Sequence, residues 1–117
     1  MDIDRQLRER LADSAVHIAG LELELARMLE ASESSNADDE HDPEGATVAF
    51  ERQQLVALLR QARRSRADLE QALTQFDRGT YGACVACGAP IGSERLTARP
   101  DAQTCIACAR RSSATRP

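Results

Sequence analysis

Between residues 7 and 28 the apolar positions recur at intervals of three, four and seven: Leu7, Leu11, Ile18, Leu21, Leu25 and Met28, with Ser14 the only interruption. Such a spacing gathers side chains on one narrow face of a helix, so the pattern predicts an amphipathic helix over about 3–30. Gly20 inside it costs about 1 kcal/mol relative to Ala, which packing must offset. A second row, Val48, Leu55, Ala62, Leu69 and Phe76, repeats every seven residues, with Leu59 and Leu73 in the alternate row and Arg52 and Arg66 completing it. Arg66 on that seam is expected to snorkel or pair. Two helices of similar length, each with one apolar stripe, are most simply satisfied as an antiparallel coiled-coil hairpin within one chain. Pairing between chains is the alternative; equal helix lengths joined by a turn favour the hairpin, and a monomer is expected.

Between the helices, ASESSNADDEHDPEGAT has no apolar period and sets Asp38, Asp39, Glu40, Asp42 and Glu44 close together. It reads as the tip of the hairpin, at about 32–46. Asp42 and Pro43 suit an N-cap and first helical position, while Gly45 leaves a restart near Thr47 equally open. The second helix is expected to end at Arg78-Gly79, where glycine takes the left-handed conformation. The expected division is a hairpin over 1–78, a metal lobe over 79–111 and a disordered basic tail over 112–117.

Composition narrows the class. The aromatic residues are Phe50, Phe76 and Tyr81, with no Trp. That is too little for a thick core and suits helices with narrow seams. The net charge of −4 hides an asymmetry, since residues 1–47 hold 13 acids and 4 bases while 48–117 hold 6 acids and 11 bases, every base being Arg. An acidic first half argues against wrapping on nucleic acid. The opening MDIDRQLRER has no apolar segment of a secretory signal, and no run approaches the roughly 20 apolar residues of a membrane span, so a cytoplasmic protein without a membrane partner is expected.

The candidate chemistry lies in four cysteines, Cys84-x2-Cys87 and Cys105-x2-Cys108, separated by 17 residues. In a reducing compartment this spacing reads as a four-thiolate metal site and not as disulfides, with one structural Zn2+ favoured and iron the alternative. Four thiolates close the tetrahedral shell and leave no position for water, and no nucleophile and base pair is legible elsewhere, so no enzyme is expected. Gly88 permits a tight turn whose amides point at sulfur, and the second pair is expected at the start of a helix. Arg95, Arg99, Arg110 and Arg111 are near enough in sequence to offset the charge of the site. His17 and His41 lie far from either pair and read as surface residues. The acids of the tip show no calcium-loop pattern.

The run YGACVACGAPIGSERLTARPDAQTCIAC resembles the C4 zinc finger of the DksA/TraR family, through Tyr81-Gly82, Cys84, Cys87-Gly88, Ile91, Arg95-Leu96, Ala98, Pro100, Cys105 and Cys108. The resemblance is tight over 79–110 and architectural over 1–78. It implies a mainly α fold: a long antiparallel two-helix coiled-coil hairpin, then a small C4 zinc-finger lobe and a short C-terminal helix. It also implies a regulator that binds bacterial RNA polymerase and not DNA, with the hairpin tip in the secondary channel. Asp38, Asp39 and Asp42 would then be the tip acids, and the finger, with Arg95 and Arg99, would brace the hairpin at the channel rim. One tip pattern in the family reads Asp-x-x-Asp-x-Ala; counted from Asp42, this chain has Gly45 at the second acid and Thr47 at the alanine. The basic residue linked in the family to alarmone binding, just after the last cysteine, is Ala109 here, whereas Arg99 is kept.

A second class of function is a zinc-ribbon adaptor or nucleic-acid-binding module using Arg95, Arg99, Arg110 and Arg111 on phosphate. Its weakness is the lack of stacking aromatics, since the finger offers only Tyr81.

Overall fold

The computed structural model describes residues 2–34 and 43–115. Four helices and no strand form the described chain: α1 Ile3–Ser34, α2 Pro43–Arg78, α3 Ser93–Ala98 and α4 Ile106–Thr115. The helices leave 35–42 between α1 and α2, a shorter connection than the tip expected at 32–46, and α2 begins at Pro43 and not near Thr47. Asp38, Asp39 and Asp42 lie outside the described residues. By packing, the chain forms two compact units, Met1–Ala12 with Ser65–Pro117, and Asp13–Arg64.

In the unit Asp13–Arg64 the expected seams meet. Ile18 and Leu21 of α1 bury against Leu55, Leu59 and Ala62 of α2, with Leu25 and Met28 packed alongside. The pairing is antiparallel and its core is only one side chain deep. Arg63 reaches across to Glu22 at 2.9 Å, both side chains half exposed, a contact worth about 0–1 kcal/mol. Val48 is 40% exposed, so the second heptad row does not bury its first member.

In the other unit, α1 opens on a cap: Asp2 Oδ1 accepts from the Arg5 amide at 3.1 Å. Ion pairs Arg8–Asp4 and Arg5–Glu9, one helical turn apart, line the exposed side of that first stretch. Leu7 is fully buried against Leu69 and Ala72, with Ile3, Leu11, Leu73 and Tyr81 around them. Ala72 was not on either expected row, yet it is as enclosed as Leu7. Arg66 is half exposed and lies 3.6 Å from Glu70, the pairing its place on the seam required.

α2 stops where the sequence indicates. Gly79 has φ 78°, the Gly79 amide donates to Phe76 O at 3.1 Å and the Thr80 amide to Gln75 O at 2.8 Å, so the last carbonyls of α2 are satisfied by a Schellman turn. An added Cβ at Gly79 would meet no atom within 4 Å, leaving backbone conformation as its only cost. Gly79→Ala is therefore expected to lose about 1–2 kcal/mol, read as a lower urea midpoint with an unchanged slope.

Beyond the turn, the Ala83–Pro90 bridge, with Cys84 N to Ala89 O and Ile91 N to Gly82 O both at 2.8 Å, makes a small ribbon that presents the first cysteine pair. α4 continues to Thr115, so residues 112–115, expected in a disordered tail, are helical.

Candidate metal centre

The four cysteine sulfurs lie within 4.8 Å of one another. Tetrahedral sulfurs at a Zn–S distance of about 2.3 Å stand about 3.8 Å apart, and the Cys87 and Cys105 sulfurs are separated by 3.8 Å. Donor type, number and spacing thus fit one zinc, held by Cys84, Cys87, Cys105 and Cys108. When bound, it supplies folding free energy to the lobe and no reaction, because four thiolates fill its shell.

Backbone turns put each sulfur in place. Gly88, at φ 78°, donates its amide to Cys84 O at 2.8 Å and closes the first turn. Amides of Cys105, Cys87 and Ala86 point at the Cys84 sulfur and hold its pKa at about 6 against the opposing effect of burial. Cys105 precedes α4, and its sulfur accepts from the Cys108 amide as an N-cap side chain would, which lowers its pKa. Cys108 is pushed up to about 11, first by its contact with the Cys105 sulfur and then by burial, with Arg111 Nη2 at 3.1 Å opposing.

These directions fix the pH dependence of zinc uptake. Below about 11 the Cys108 sulfur carries a proton that the metal must displace, and below about 6 the Cys84 sulfur adds a second competitor. Zinc affinity is therefore expected to rise with pH through neutrality and to fall more steeply below pH 6, measured by competition with a chelator across that range.

Three of the four arginines are set apart by their contacts and surroundings. Arg111 donates directly to a ligand sulfur, while Arg95 Nε donates to Thr104 O at 2.9 Å and ties α3 to the loop before Cys105. Arg99 is exposed, and its charge lowers the pKa of Asp68, although burial and then Asp101 leave that carboxyl raised overall. A phosphate patch built from all four would have to break two of these contacts.

The lobe is joined to the helices of its own unit by two side chains. Tyr81 stands among Leu7, Leu69 and Ala72, donates its hydroxyl to Pro100 O at 2.9 Å and meets Phe76 edge to face. Gln103 Nε2 donates to Asp68 O on α2 at 2.9 Å, and Gln103 O accepts from the Val85 amide beside the first cysteine. A lone tyrosine two residues beyond a helix stop was the signal that could have found the Tyr81 tie, which was not among the expected contacts. Nothing in the sequence around Gln103 signalled the other.

Residues 79–114 match the prokaryotic dksA/traR C4-type zinc finger. Among sequence relatives, YteA of Bacillus subtilis is 39% identical over 69 residues, spanning 59% of this chain and 29% of that protein. The RNA polymerase-binding transcription factor DksA of Haemophilus influenzae is 36% identical over 69 residues, 56% of this chain and 48% of that protein. The chain thus spans less than half the length of either relative. The structure of transcription factor DksA2 from Pseudomonas aeruginosa superposes with a TM-score of 0.72 at 29% identity, covering 95% of this chain and 80% of that one. Among the described residues no helix is long and apolar enough to cross a membrane.

Proposed function

The chain is a DksA/TraR family protein, and on that premise we propose that it regulates transcription by binding RNA polymerase directly. One copy of the hairpin enters the secondary channel, Asp38, Asp39 and Asp42 act near the active centre, and the zinc lobe braces the hairpin at the channel rim. Arg95 and Arg99 contribute on the finger side, Arg99 by its exposed charge and Arg95 by holding α3 to the Cys105 loop. The protein works in the cytoplasm, without contacting DNA and without catalysing a reaction of its own.

The observation that supports this reading most is the extent of the likeness to DksA2, which runs over nearly the whole chain, hairpin as well as finger. A zinc finger shared alone would speak for a metal lobe and nothing more. A shared hairpin also carries Asp38, Asp39 and Asp42 in the segment between its two helices, which the polymerase reading requires. Engagement of Arg95 and Arg111 inside the lobe further weakens the adaptor reading.

The test is co-elution of the zinc-loaded chain with bacterial RNA polymerase core, alongside a gel-shift assay on promoter DNA. The expected result is co-elution with the core and no retardation of DNA. Failure to co-elute at low salt overturns the polymerase reading, and retardation of DNA by the chain alone favours the nucleic-acid-binding module.

A further inference from the structure

In the unit Asp13–Arg64, α1 turns Ile18, Leu21, Leu25 and Met28 toward α2. The other side of the same helix is apolar too. Val16 is 75% exposed and Leu23 53% exposed, and Ala19 and Ala26 are exposed between and beyond them. Val16, Ala19, Leu23 and Ala26 follow intervals of three, four and three, a second heptad row facing away from the hairpin seam. A helix with only one partner carries polar residues along the centre of its outer face, and between Val16 and Ala26 this one carries apolar residues there.

The row is complementary to itself. Set antiparallel on a second α1 about a two-fold axis, Val16 falls opposite Ala26 of the second copy and Ala19 opposite its Leu23, so that every layer places a large side chain against a small one. On one flank Ala15 meets Leu29, again small against large, and both are exposed. On the other flank Gly20 meets Gly20 near the axis, where the space beside it is open to 4 Å and lets the two backbones approach. The same register sets Asp13 against Arg27 of the second copy, and by symmetry Arg27 against its Asp13. Both residues are exposed and neither forms an ion pair with a described residue of its own chain. Glu22 faces its own equivalent, but each is held by an Arg63 at 2.9 Å, which relieves the like charges.

We propose that this outer face of α1 docks a second copy of the chain, antiparallel, as a weak and reversible dimer. One helix face is smaller than the roughly 800 Å² per partner of a standard interface, so the dimer forms with rising concentration and is not permanent. Pairing adds a second hairpin beside the first, so the dimer competes with any use of the hairpin that admits one copy. This interface draws on α1 and on Arg63 beside Glu22, and it stands apart from the polymerase reading.

Sedimentation equilibrium of the full zinc-loaded chain tests it, with circular dichroism as the check on folding. The wild type is expected to dimerise at tens to hundreds of micromolar, and V16E/L23E, altered only at exposed positions, to remain monomeric. D13R and R27D should each weaken association about tenfold, because two attractive pairs become repulsive. An equimolar mixture of D13R and R27D should recover it, since the mixed dimer again sets opposite charges at both contacts, the wild-type Arg27–Asp13 pair at one and an exchanged Arg–Asp pair at the other. A wild type that stays monomeric at hundreds of micromolar overturns the proposal, as does a mixture that associates no better than its parts. A monomeric wild type whose V16E/L23E variant loses affinity for core polymerase would give this face to polymerase instead of a second copy.

Discussion

Replacing any one of Cys84, Cys87, Cys105 or Cys108 with Ser is expected to abolish zinc binding and unfold residues 79–115, while 13–34 and 43–64 stay helical. The finger has a small core, in which Ile91 and Ala102 bury against Cys84 and Cys108 themselves, with Leu96 and Cys105 beside them. Half of what is enclosed is metal ligand. Apparent zinc binding free energies in such lobes are about 10 kcal/mol or more, against the 2–5 kcal/mol of a typical large-to-small core substitution, so no repacking of these few residues replaces the metal. Damage should spread to the base of the hairpin, because Tyr81 covers Leu7, Leu69 and Ala72 and is itself held by Pro100 of the finger. It should stop before Ile18, Leu21, Leu55, Leu59 and Ala62, which form a separate cluster. Native mass spectrometry should show one zinc in the wild type and none in the variants, with amide protection lost over 79–115 and retained over 13–34 and 43–64. A variant that loses zinc but keeps its finger protected would contradict the structural role of the metal.

Changing Asp38, Asp39 and Asp42 together to Ala should abolish the effect of the protein on promoter open complexes while leaving its affinity for core polymerase within a factor of about three. Holding and acting fall to different residues in the proposed complex. Binding in the proposed complex comes from the flanks of the hairpin and from the finger, whose contacts the substitutions do not touch. In that complex the acids would supply negative charge near the active centre, where a field in a water-poor channel is worth far more than the same charge at the surface. In vitro transcription at a responsive promoter, paired with a binding titration, reads both quantities. A triple variant that still alters open complexes as the wild type does would move the functional residues away from the tip.

Much of this fold is legible in periodicity because a two-helix seam is nearly one-dimensional. Leu7, Ile18, Leu21, Leu55, Leu59, Ala62 and Leu69 all fell on the expected rows and all are buried. The ends of the second row fail for a physical reason: a heptad position is enclosed only where a partner lies opposite, and Val48 and Phe76 remain 40% and 39% exposed. Ala72 was missed because a small residue off the row gives no apolar signal, although its size lets the helices come close there. The metal centre was readable at a distance, since Cys-x2-Cys pairs bring sulfurs together through local turns and one tertiary step. The sharing of work among the arginines was not. Arg95, Arg99, Arg110 and Arg111 look equivalent in sequence, and only the folded lobe distinguishes Arg111 on a sulfur from Arg95 on a carbonyl.

The proposed function requires the segment between α1 and α2 to reach the interior of RNA polymerase. A photo-crosslinking amino acid placed at Asp39 in the zinc-loaded chain, mixed with core polymerase and irradiated, tests it most directly. Crosslinks are expected to the large subunits at loops lining the secondary channel near the active centre, with the same probe at Val85 in the finger mapping to the outer rim. Crosslinks from Asp39 confined to the outer surface of the enzyme, or absent while the finger probe reacts, would contradict it.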